Sequence, residues 1–158
     1  MKRTTIIETI VVAYTILFLY TAISKLMEYS VFKEQIAASP ILAPVSKLIA
    51  AGLPWTEILV TVLLIVPRWR LKGLYASLIL MTAFTIYIAA TLAFSEHIPC
   101  SCGGIISEMS WTQHLLFNTV FIGLAITGII LTKKVLNDHK LQWSSATIRD
   151  WNIKPENI

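Results

Sequence analysis

The chain has 158 residues, a formal net charge of +4, 56% hydrophobic residues and only 14% charged ones, with a mean hydropathy of +0.70. A soluble domain carries roughly 25% charge and about 45–50% apolar residues. These values exclude an ordinary soluble enzyme, a disordered chain and a collagen-like fibre, and leave a small all-α integral membrane protein. Nucleic-acid binding would need the basic residues gathered on one face. Here they stand in short runs beside apolar segments, so a lipid bilayer is the expected partner and no nucleic acid is.

The first apolar stretch runs from about Ile6 to Met27. Met1-Lys2-Arg3 would serve as the basic start of a signal peptide. The apolar run that follows exceeds such a signal and lacks a small-x-small exit before Lys25, so it reads as a retained helix. Glu8 reads as interfacial, and Lys25 stands near the far end of the helix. The segment Glu28–Lys47 follows. Its stretch Val31–Ala38 reads as a short amphipathic helix on the membrane interface, ended by Pro40 and Pro44 and placed to roof the space over Glu57. The second span runs from about Leu48 to Val66, with Glu57 near its middle. A carboxylate there is costly and faces the bundle interior or a water-filled cavity. Antiparallel helices put Lys25 and Glu57 in the same half of the membrane, so an ion pair is feasible. The alternative is a lysine snorkelling to the interface, with Glu57 hydrogen-bonded elsewhere or protonated.

The third span runs from about Gly73 to Phe94. Its Thr82, Thr85, Tyr87 and Thr91 either line a polar seam or, for most of the hydroxyls, bond back to their own helix. The fourth runs from about Trp111 to Leu131. His114 and Asn118 lie one turn apart on one face, shaping a pocket or making an ordinary interhelical contact. All four stretches meet the length of about 20 apolar residues, and helices are the spanning form for such runs. Trp55, Trp69 and Trp111 fall at the boundaries, as an aromatic belt does. The expected organisation is a four-transmembrane-helix domain over residues 1–132 and a polar cytoplasmic tail over 133–158. That tail is loose, surface-lying or a docking arm.

Lysine and arginine set the orientation. Ten of the 13 basic residues fall on one side of a four-helix topology. These are Lys2 and Arg3, then Arg68, Arg70 and Lys72, then five after the fourth span. The positive-inside rule then places both termini in the cytoplasm and two segments outside, Glu28–Lys47 and Ser95–Ser110.

The two cysteines, Cys100 and Cys102, lie in the second outward segment, in His97-Ile98-Pro99-Cys100-Ser101-Cys102-Gly103-Gly104. In a bacterial inner membrane that side is oxidising. A pair two residues apart closes too small a loop to stabilise much by chain entropy. A strained, exposed disulfide is the exchange-competent kind; His97 and the nearby start of the fourth helix favour a thiolate, while Glu96 and Glu108 push the other way. A passive pair is the plain alternative. His97, Cys100 and Cys102 also form an H-x2-C-x-C set of soft or borderline metal ligands. That is too few for closed structural zinc but sufficient for a Cu(I) or mercury site.

The residues resemble the DoxX-like membrane proteins, and within them the MauE (methylamine-utilisation) branch. The resemblance rests on Ser24-Lys25-Leu26, Phe32 and its loop, Pro54-Trp55-Thr56-Glu57, Cys100-Ser101-Cys102-Gly103, Trp111 and Asn118. The chain departs from the branch at Gly103-Gly104, where an aromatic often precedes the glycine, and at Phe117, where a basic residue is common. The resemblance implies a four-helix inner-membrane bundle linked to thiol–disulfide chemistry, cooperating with a periplasmic thioredoxin-like partner.

Three functions follow as expectations. In the first, Cys100 and Cys102 exchange with that partner, and their electrons pass to another protein or reduce a membrane quinone near Lys25 and Glu57. In the second, His97, Cys100 and Cys102 bind or help transport a heavy metal. In the third, the chain is a non-catalytic subunit of a larger envelope complex.

Overall fold

The computed structural model describes residues 2–39, 42–94 and 111–152. They form five α-helices and one 3-10 turn, with no strand among the described residues. In chain order these are α1 (Lys2–Met27), α2 (Tyr29–Ala38), the turn Ala43–Val45, α3 (Ser46–Ile65), α4 (Arg70–Phe94) and α5 (Trp111–Asn152). Four of the helices are long and apolar enough to cross a membrane. The expected spans start several residues late for α1 and α4. Hydropathy reports where apolar sequence begins, whereas a helix is set by its backbone bonds and includes the basic residues that flank it.

The core of the bundle is built by one stripe from each long helix. Tyr14 and Phe18 of α1, Val60 and Leu64 of α3, Leu74 and Met81 of α4, and Ala125 and Ile129 of α5 form one buried cluster. The opposite faces stay apolar. Ile16, Leu59, Ile79 and Leu116 are all more than half exposed. In water this would be a large unpartnered patch; in a bilayer it is the lipid-facing surface. Between helices in lipid, close packing and hydrogen bonds replace the hydrophobic drive, and both are present. The Tyr14 hydroxyl donates to the Phe121 carbonyl of α5 at 2.6 Å, and the two rings meet edge to face at 5.2 Å. A side chain on Gly73 would lie 2.8 Å from the Leu64 nitrogen, so the absence of one lets α4 turn back tightly on α3. Gly128 does the same for α5, where a Cβ would lie 3.2 Å from Leu74.

The short helix α2 is amphipathic as expected. Phe32 and Ile36, one turn apart, are buried against Ala50 of α3, with Leu42, Ile49 and Leu53 around them. Its remaining residues are mostly exposed. At the opposite end of the bundle, α5 continues well past Leu131 to Asn152. At 1.5 Å per residue it is about 63 Å long, roughly twice the hydrocarbon thickness of a bilayer. Arg3 of α1 meets Asp138 of α5 at 3.3 Å on the exposed surface.

Candidate functional site

The buried charged side chains of the described residues, Lys25 and Glu57, lie toward one end of the bundle. This is the end that carries the last turn of α1, the helix α2, the start of α3, the end of α4 and the start of α5. The segment 95–110 leaves α4 and returns to α5 there. His97, Cys100 and Cys102 belong to that segment and lie outside the described residues. Among the described residues no cluster of three or more His, Cys, Asp or Glu side chains is placed to hold a metal ion.

Lys25 and Glu57 form the ion pair that their sequence positions allowed. Lys25 Nζ donates to Glu57 Oε1 at 2.8 Å, and the two side chains are 7% and 2% exposed. Lys25 does not snorkel; its stem turns into the bundle. Its ammonium is also 3.4 Å from the Thr21 carbonyl of its own helix. It lies 5.7 Å from the Phe32 ring centre and 5.9 Å from that of Phe84, within reach of cation–π attraction. Side chains and backbone from α1, α2, α3 and α4 therefore hold one ammonium group. Phe32 explains why α2 docks where it does, because its ring seals the pair on that side.

Glu57 is only half satisfied. Its Oε2 is buried and has no hydrogen-bond partner. The nearby Thr21 hydroxyl donates to the Phe18 carbonyl at 3.2 Å. Both residues line a cavity of about 80 Å³ between α1, α4 and α5, which Glu57 enters from α3. Lys25, Tyr87, His114 and Asn118 supply the rest of its polar wall, and Phe18, Phe84 and Phe117 supply aromatic faces. Its floor residues Phe18, Lys25, Glu57 and Asn118 are buried, while Thr21, Phe84, Tyr87, His114 and Phe117 are partly exposed at its mouth. The pocket reading of His114 and Asn118 thus holds. Most hydroxyls of α4 do bond back to their helix, with Thr82, Thr85 and Thr91 donating to the carbonyls of Leu78, Met81 and Tyr87 at 2.7 to 2.9 Å.

Sequence reasoning passed over Phe84, and it noted Phe117 as a departure from the family pattern without placing it in a pocket. Their signal was position: Phe84 stands between Met81 and Ile88 on the inner face of α4, and Phe117 precedes Asn118. Such a site can hold a ligand with an apolar ring and polar edge atoms, and it offers donors in Lys25 and Asn118 and an open acceptor in Glu57.

No curated protein and no solved structure shows a significant match to the chain. A family model described as methylamine utilisation protein MauE matches residues 3–131. That stretch takes in nearly all of α1, the whole of α3 and α4, α5 as far as Leu131, the ion pair, the cavity and the cysteine segment. With so much of its length matched, and a multi-pass helical architecture to go with it, the chain belongs to the MauE family.

Proposed function

We propose that this protein is an inner-membrane thiol–disulfide redox protein serving methylamine utilisation, with both termini cytoplasmic and the Cys100–Cys102 pair facing the periplasm. A thioredoxin-like partner exchanges with that pair. In the oxidising direction, a partner thiolate attacks one sulfur of the Cys100–Cys102 disulfide and forms a mixed disulfide. The partner's second thiolate then displaces that sulfur. The partner gains an S–S bond, the Cys100–Cys102 bond is broken, and two electrons and two protons pass to the pair. The reverse sequence reduces the partner.

The observation that carries this reading is the place of the polar site. A buried ion pair in a membrane helix bundle is expensive and is kept for function. It lies at the end of the bundle to which the cysteine segment is tethered. Cys100 is six residues from Phe94, and six residues span at most about 20 Å, whereas the cavity-lining Tyr87 stands seven residues before Phe94, about 10 Å along α4. The basic residues gathered at the opposite end support the orientation.

Single Cys100→Ser and Cys102→Ser variants test the proposal. One of them should accumulate a mixed disulfide with a periplasmic protein, visible on non-reducing gels and lost on reduction. If neither traps a partner, and the double serine variant supports growth on methylamine as well as wild type, exchange at this pair is not the function.

A further inference from the structure

We propose that the cavity beside Glu57 binds the ring of a membrane quinone, which takes the electrons of the cysteine pair. This rests on the thiol–disulfide reading and names the acceptor that reading leaves open. Exchange with a partner only moves two electrons from one pair of sulfurs to another. A chain with one cysteine pair must pass them on to turn over.

The cavity has the chemistry of such an acceptor site. A quinone carbonyl is a hydrogen-bond acceptor, and Lys25 and Asn118 are buried donors at the cavity floor. The quinol formed by reduction carries hydroxyls, which are donors. Glu57 Oε2, buried and without a partner, is an acceptor placed for one of them. Phe18, Phe84 and Phe117 offer faces on which a flat ring stacks. A volume of about 80 Å³ takes the carbonyl edge of a ring. The substituted remainder and the lipid tail then lie at the partly exposed mouth, in a protein whose surroundings are lipid.

The step balances. The two thiols of Cys100 and Cys102 lose two electrons and two protons and form one S–S bond. The quinone gains both and becomes quinol. Glu57 acts there as a proton carrier, with Lys25 holding its other oxygen in place.

The test uses the full chain in lipid nanodiscs with decylubiquinone and an azido derivative of it. Saturable binding is expected, with photoadducts on Phe84, Tyr87, His114 or Phe117. The Cys100→Ser/Cys102→Ser protein should bind equally well, because binding needs no thiol. Asn118→Leu should weaken binding at least tenfold. Glu57→Gln keeps the shape and a hydrogen bond, so it should bind within about threefold of wild type. Quinol formation by its reduced cysteine pair should fall at least tenfold, and the Glu57→Asp variant should restore part of that rate. Absence of saturable binding, or adducts only outside the cavity, overturns the proposal and leaves a cavity filled by water alone. If that happens while a serine variant still traps a partner, the thiol reading stands and only the quinone site falls. If quinone binds while neither cysteine captures any protein, the thiol reading falls instead.

Discussion

Lys25 and Glu57 give up their hydration together, and each is tolerable only because of the other. A buried ion pair adds little net stability over apolar residues of the same size, but removing one partner strands a charge at a cost of about 3–5 kcal/mol. Lys25→Met should therefore destabilise the protein by that amount in an unfolding titration. Lys25→Met combined with Glu57→Leu should recover most of the loss while abolishing whatever chemistry the pair performs. A single variant as stable as wild type would contradict the pairing seen at 2.8 Å. At this scale the sequence was informative where a residue was out of place. A lysine and a glutamate within apolar runs had few options, and antiparallel helices put them in the same half of the membrane, with Lys25 the shallower by about a turn. It was silent on the cavity role of Phe84 and Phe117, because an aromatic in an apolar helix looks the same whether it faces lipid, core or cavity.

Helix contacts sort the glycines. Gly73 has the Leu64 backbone against it, whereas Gly52 has nothing within 4 Å of where its side chain would be. Gly73→Ala forces α4 away from α3, and overpacking of this kind costs about 1–3 kcal/mol. Gly52→Ala should cost nothing and gain helix propensity. The midpoints of the two variants, measured side by side, check this, and equal midpoints would argue against the close approach. For α5, nitroxide labels at successive positions from Lys133 to Trp143 should show mobility with a helical period of about 3.6 residues. A flat, coil-like profile would contradict the extension. The spans and their order were legible because 20-residue apolar runs have few readings. The ends were not, because α5 continues through Lys133, Lys134 and Lys140, which are good helix formers but stop a hydropathy window. The segment after Leu131, which the sequence allowed to be loose, surface-lying or a docking arm, is helical as far as Asn152.

For the whole molecule, the bundle sets apart two ends. One gathers the basic residues, the Arg3–Asp138 pair and the exposed length of α5. The other gathers the ion pair, the cavity and the attachment of the cysteine segment. The sequence already separates the two ends, because ten of the 13 basic residues fall on one side of a four-helix topology. The cavity could not be anticipated, since it depends on how α1, α4 and α5 diverge around Glu57. The proposed function requires Cys100 and Cys102 to meet a periplasmic redox partner at the cavity end. Its most direct check is thiol labelling in intact cells with a membrane-impermeant maleimide, with and without prior reduction. The account predicts that both cysteines are labelled from outside after reduction, and that the labelled fraction shifts when the partner is deleted. Labelling only after the inner membrane is permeabilised, or a labelled fraction that never changes with redox state, would contradict it.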